Sequence, residues 1–188
     1  MTSHKAQKNP NKLLIKRVAK GNQEAFGQIY LLYKNKVYNT AISYLQNVEE
    51  AEEITQDVFV TIFNKASSFK GKSKLSTWVY RITINKALNQ IDKRNRRPKP
   101  TKEIEDYHRA DFNHPGVILE NKEKATYLFS MIDTLKETQK TAFILSYIEG
   151  LPRQEVADIM KISLKAMESL LQRAKINLRK KLIAIYPE

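Results

Sequence analysis

Two prolines, Pro98 and Pro100, break a chain whose apolar residues otherwise recur at three- and four-residue steps, and that break limits how the chain can fold. Each proline removes a backbone donor and drives the preceding residue toward extended conformations, so Arg96-Arg97-Pro98-Lys99-Pro100 cannot lie inside a helix. Before the break, Leu13, Leu14, Ile15 and Val18 predict a short helix ending near Gly21. Phe26, Ile29, Tyr30, Tyr33, Val37, Ala41 and Tyr44 then mark one long amphipathic helix. Asn47 is placed to cap a third helix, on Ala51, Ile54, Val58, Ile62 and Phe63. Lys65 to Lys74 reads as a loop, and a fourth helix runs from about Leu75 to Arg94 on Leu75, Trp78, Val79, Ile82, Leu88 and Ile91. The segment up to Pro115-Gly116 is polar and aperiodic, and periodicity returns on Ile118, Ala125, Leu128, Phe129, Ile132 and Leu135. The expected fold is all-α: two small helical domains, 1–95 and 121–188, joined by a flexible linker over 96–120.

The 41 % apolar content of 188 residues is enough for one or two small domains with real cores. Lys and Arg number 33 against 20 Asp and Glu, a net charge of +13, which predicts a polyanionic partner: nucleic acid or an anionic membrane surface. No apolar run approaches the roughly 20 residues of a membrane span, so no membrane insertion is expected. The N-terminal residues form no signal-peptide apolar region. The absence of cysteine excludes disulfides, thiolate metal sites and cysteine nucleophiles, and a cytoplasmic location fits best. His4, His108 and His114 fall in the expected tail and linker, away from any catalytic constellation. No catalytic residue, metal site or cofactor is expected.

Arg153 to Gln172 has the pattern of a helix-turn-helix. Pro152 opens the first helix. Val156 and Met160 face inward, and small Ala157 admits a close crossing. Lys161-Ile162-Ser163 forms the turn, with Ser163 set to cap the second helix, and Met167, Leu170 and Leu171 bury its inner side. Lys165, Glu168, Ser169, Gln172 and Arg173 are left outward, where a major groove would lie. An ordinary helical hairpin shares the apolar spacing. The small residue, the short capped turn and the basic continuation Arg173, Lys175, Arg179, Lys180, Lys181 favour DNA. A left-handed backbone at Lys161, where such turns often carry glycine, would cost on the order of 1 kcal/mol.

Two further stretches carry chemistry. Glu53, Gln56 and Asp57 share one helix surface, opposite Ile54, Val58 and Phe63. An acidic face on a basic protein is either simply solvated or a protein-docking surface. From Phe69 to Asn89 a basic loop with Lys72 and Lys74 leads into a helix bearing Ser76, Thr77, Trp78, Tyr80, Arg81, Asn85 and Asn89. Aromatic rings interleaved with cations suit single-stranded DNA, on which bases stack while Lys and Arg hold phosphates. Trp78 fits a core position equally well. These features leave three readings: a stand-alone helix-turn-helix regulator, a nucleic-acid enzyme, and a factor that docks on a larger protein.

The order EAEEITQDVF, STWVYRITINKALN, and YIEGLPRQEVADIM followed by QRAKINLRKKL resembles the extracytoplasmic-function (ECF) sigma factors of bacterial RNA polymerase, from about Ala25 to Leu182. The resemblance implies a region 2 helical bundle and a region 4 helix-turn-helix. It implies that Glu53, Gln56 and Asp57 dock on the clamp helices of the largest polymerase subunit. Lys72, Lys74, Ser76, Thr77, Trp78, Tyr80, Arg81, Asn85 and Asn89 would recognise and open the minus-ten element. Arg153, Lys165, Glu168, Ser169, Gln172 and Arg173 would read the minus-thirty-five duplex, while the terminal domain also meets the flap of the second-largest subunit. Core RNA polymerase and promoter DNA are the implied partners, with an anti-sigma factor as a further one, and no reaction is catalysed. Glu168 stands where members frequently carry a basic residue, which implies a different minus-thirty-five preference.

Overall fold

The computed structural model describes residues 10–96 and 122–185. The expected linker lies outside the described residues except for Arg96, as do the three histidines and Ile118.

In the first half, α1 (Pro10–Val18) ends at a turn in which Gly21 takes φ +81°, and α2 (Gln23–Leu45) follows. Asn22 caps α2 by accepting from the Ala25 N–H at 2.7 Å, meeting one of the donors that a helix start leaves open. Ala25, Ile29, Tyr33, Val37, Ala41 and Tyr44 recur at helical spacing and are buried. Gln46 ends α2 in the left-handed conformation, its N–H bonded to the Ile42 carbonyl. Asn47 then caps α3 (Val48–Lys65), accepting from the Glu50 N–H at 2.8 Å. A single 3₁₀ turn, Ala66–Ser68, and the loop through Gly71 lead to α4 (Leu75–Arg96).

One inward assignment differs. Phe63 is 43 % exposed and lies edge-on to Phe26, with ring centroids 5.3 Å apart. Ile62, fully buried, takes the inward place on that turn of the helix.

The second half comprises α5 (Lys122–Asp133), α6 (Glu137–Phe143), a π-helical stretch (Ile144–Ile148), α7 (Arg153–Met160) and α8 (Leu164–Ile185). Pro152 sits just before α7, with ψ 140°, rather than within its first turn. Val156, Ala157 and Ile159 are buried, with Met160 only partly so, and Met167, Leu171, Ala174 and Leu178 form the inner stripe of α8. Ser163 Oγ accepts from the Ala166 N–H at 3.2 Å, and Lys161 adopts φ +57°. Lys161→Gly is therefore expected to raise stability by about 1 kcal/mol, equivalent to roughly 2–4 °C in Tm for a chain of this size. A thermal melt that leaves Tm unchanged or lowers it would remove the strain assigned to Lys161.

The two halves share one continuous buried cluster, joined by polar contacts. Tyr44 Oη donates to Thr141 Oγ1 at 2.8 Å, and Gln46 Nε2 donates to the Phe129 carbonyl at 3.2 Å. Lys140 is itself buried. Its ammonium donates to the Tyr44 carbonyl at 3.2 Å, lies 5.4 Å from the centre of the Tyr44 ring and pairs with Asp133. An unpaired ammonium there would carry a desolvation cost of several kcal/mol, so these partners fix how α6 meets the end of α2.

Candidate polymerase and DNA interfaces

The acidic face of α3 stands open. Glu53, Gln56 and Asp57 are all exposed because Ala51, Ile54 and Val58 take the inward positions of the same helix. Asp57 Oδ2 accepts from Lys86 Nζ on α4 at 3.0 Å. Such a pair is worth about 0.2–1 kcal/mol at most, so it orients the carboxylate without removing it from reach.

The basic and aromatic block is divided. Lys72 and Lys74 lie exposed before α4, and Asn85 and Asn89, four residues apart, stand exposed on one face of it. Trp78 is half-buried and tilts against Phe69, with centroids 5.3 Å apart. Thr77 and Tyr80 are turned inward, at 2 % and 3 % exposure. Ser76 and Arg81 are partly covered, and what covers them is the second half of the chain. Ser76 Oγ donates to Glu155 Oε1 at 2.8 Å, with Lys74 Nζ 3.4 Å from the same carboxylate. Tyr80 Oη donates to Glu149 Oε2 at 3.2 Å. Arg81 donates to the carbonyls of Ile159, at 3.0 Å, and of Asp158.

Glu149 is electrostatically unusual. One carboxylate oxygen is bonded to Tyr80, while the other is buried with no hydrogen-bond partner, and the nearby Thr40 hydroxyl spends its proton on the Lys36 carbonyl. Burial pushes the Glu149 carboxyl up to about 7, against the opposing pull of the Tyr80 hydrogen bond and the Lys36 charge. Burial likewise raises the Tyr80 phenol, with the Glu149 charge adding to the effect. Because the raised value belongs to the packed arrangement, protonation favours the packing. That contribution is full below the ordinary value of 4.5 and declines as pH rises through about 7.

On the helix-turn-helix, Arg153, Lys165, Glu168, Gln172 and Arg173 are exposed and Ser169 is half-buried. Arg153 Nη1 lies 3.3 Å from Glu168 Oε1, which ties the start of α7 to the outer side of α8. No cluster of His, Asp or Glu suited to a metal ion occurs among the described residues, and no described helix is long and apolar enough to cross a membrane.

Two family models match the chain: sigma-70 region 2 over residues 29–97 and sigma-70 region 4 over residues 126–178. The ECF RNA polymerase sigma factor SigW of Bacillus subtilis is 32 % identical over 180 residues, covering 89 % of this chain and 94 % of that protein. The chain belongs to the ECF sigma factor family. The sigma-E factor of Haemophilus influenzae is 30 % identical over 90 % of this chain and 94 % of its own length. Among solved structures, the sigma factor RpoE of Bartonella quintana, in complex with the anti-sigma factor NepR, superposes with a TM-score of 0.62 at 25 % identity, covering 84 % of this chain and 96 % of that one. CnrH, solved with the cytosolic domain of CnrY, shares the fold with a TM-score of 0.69 at 21 % identity, over 93 % of this chain and 97 % of that one.

Within this sigma factor, the residues that sequence reasoning passed over are Glu149 and Glu155. Both lie in the YIEGLPRQEVADIM motif, as acidic positions in a strongly basic chain, and that contrast is the signal that could have marked them. Their partners stand 69 and 79 residues away, beyond the reach of local periodicity.

Proposed function

We propose that this ECF sigma factor binds core RNA polymerase, directs it to particular promoters and helps open them, while the polymerase performs all the chemistry. The observation that carries the assignment of roles is the separation of three surfaces on one chain: the exposed acidic face of α3, the Lys72–Asn89 block on and before α4, and the outer side of α8. Glu53, Gln56 and Asp57 dock on the clamp helices of the largest subunit, because an acidic face on a chain of net charge +13 suits a protein partner better than DNA. Lys72, Lys74, Ser76, Thr77, Trp78, Tyr80, Arg81, Asn85 and Asn89 serve the minus-ten element. Arg153, Lys165, Glu168, Ser169, Gln172 and Arg173 serve the minus-thirty-five duplex, and the same terminal domain meets the flap of the second-largest subunit. The factor works in the cytoplasm, where core polymerase acts, and an anti-sigma factor is a further partner, by analogy with the Bartonella complex.

Unstacking DNA costs a few kcal/mol per step. Stacking and phosphate contacts available only to a separated strand return about 1–3 kcal/mol per base. Two weak readers joined by a tether act together once polymerase holds them at the promoter spacing. In vitro transcription with purified core polymerase and genomic fragments tests the assignment. Discrete start sites are expected only when factor and core are both present. Tight operator binding by the factor alone, with no new transcripts, would favour a stand-alone regulator.

Glu168 is suited to accept from a cytosine amino group, and Gln172 to pair with adenine. Glu168→Arg removes that acceptor and releases Arg153 from its 3.3 Å partner. The variant is expected to change the preferred minus-thirty-five bases, a mismatch costing about 1–3 kcal/mol. A promoter-library selection returning the parental preference would take Glu168 out of the readout.

A further inference from the structure

None of the three assigned surfaces includes the first helix. α1 (Pro10–Val18) lies before residue 29, where the region 2 match begins, yet it is firmly placed. Ile15 and Val18 are buried, Asn11 Nδ2 donates to Tyr33 Oη at 3.4 Å, and the helix packs on α2, on the 3₁₀ turn and on α4. That position lays Lys12, an exposed residue, across the loop leading into α4. A Cβ on Gly71 would stand 2.5 Å from Lys12 Cε and 2.8 Å from its Nζ, closer than real side chains approach. The end of the lysine therefore fills the space that glycine leaves open. Gly71 also takes φ +68°, in the left-handed region that glycine favours. Phe69, on the near side of the same loop, rests on Trp78 of α4.

The charges around this contact are all of one sign. No Asp or Glu occurs before Glu24, nor between Asp57 and Asp92. Lys12, Lys70 and Lys72 are exposed and enter no ion pair among the described residues. Lys12 further sits in the first turn of α1, the end of a helix where the backbone dipole disfavours a cation. Neither the helix nor a neighbouring carboxylate accounts for its charge, whereas a phosphate would.

We infer that α1 belongs to the strand-capturing site, with Lys12 taking a phosphate of the separated non-template strand beside Lys70 and Lys72. The inference rests on this loop and α4 being the strand-reading element. The methylenes of Lys12 lie over Gly71 and leave the ammonium in water, ready for an anion. The register of α1 thus adds a cation to the loop from about 60 residues away in sequence, through a contact that only glycine permits.

The test uses holoenzyme reconstituted from the full chain and core polymerase. The probe is a duplex ending in a single-stranded non-template minus-ten segment, its sequence taken from a start site that factor and core produce in vitro. Lys12→Met keeps the stem over Gly71 and removes the charge. Each phosphate contact to a single strand contributes about 0.7 to the slope of log affinity against log salt, so the slope should fall by that amount and binding near 0.1 M salt should weaken roughly fivefold. Lys12→Arg should keep the parental slope. Gly71→Ala displaces the lysine without deleting it, so Lys12→Met should cost less in that background than alone. Circular dichroism and Tm of Lys12→Met should match the parent, since the residue is exposed.

Unchanged affinity and slope in Lys12→Met overturn the inference. Weaker binding at an unchanged slope overturns it as well, because the lysine stem then only supports the loop. Equal losses from Lys12→Met with and without Gly71→Ala would place the lysine's action elsewhere. Asn85→Ala with Asn89→Ala separates the two levels of the argument. If that variant weakens binding and Lys12→Met does not, only the part given to α1 fails; if neither weakens it, the strand-reading role of α4 fails first.

Discussion

Asp57→Arg combined with Gln56→Ala is expected to weaken binding to core polymerase roughly 50-fold, about 2.3 kcal/mol. Both side chains are exposed, and neither belongs to the buried cluster. The fold loses only the surface pair between Asp57 and Lys86, 3.0 Å apart, which is worth under about 1 kcal/mol. Circular dichroism and Tm should therefore stay close to those of the parent while affinity collapses. The reversed charge places a cation beside Lys86 and turns an acidic face basic, so the electrostatic match to a clamp is lost rather than merely reduced. Affinity measured by pull-down or by titration of labelled core would be unchanged if α3 were only a solvated surface.

The second large effect belongs to α4. Trp78 is the residue that sequence pattern singles out most strongly, yet it packs on Phe69, and its loss would confound folding with function. Asn85 and Asn89 provide a cleaner test because both are exposed and share a face. Asn85→Ala with Asn89→Ala is expected to reduce open-complex formation about tenfold, or about 1.4 kcal/mol, the scale of one or two lost base contacts. Duplex binding by the polymerase holoenzyme should change far less, because the helix-turn-helix is untouched. Permanganate reactivity of unpaired thymines at the minus-ten element measures the first and filter binding the second. Equal losses in both would assign the asparagines to general affinity rather than strand capture.

Much of this was legible from sequence because it is encoded locally. The caps at Asn22, Asn47 and Ser163 each answer to helix-start chemistry within three residues, and of these Asn47 and Ser163 could be read in advance. The turn at Lys161, a place where glycine is common, is left-handed, with φ +57°. What the pattern could not give is how the halves meet. Ser76 and Glu155, or Tyr44 and Thr141, pair across 79 and 97 residues, and no helical period links such positions. The same limit explains Thr77 and Tyr80, whose surroundings depend on helices far away in sequence. Phe63, placed inward by hydrophobicity, lies instead 43 % exposed beside Phe26, with Ile62 taking the inward place.

The joint between the halves has a consequence for handling and for life in the cell. The bonds that cross it are made by hydroxyls, an amide, an ammonium, a guanidinium and carboxylates. Each of these groups recovers a water partner on separation, so each neutral bond contributes only about 0.5–1.5 kcal/mol to holding the halves together, and each bond to a charged group about 1.5–3 kcal/mol. The joint also carries part of one continuous buried apolar cluster, so parting the halves would expose apolar side chains along with these polar groups, and the chain in water is held closed chiefly by that burial.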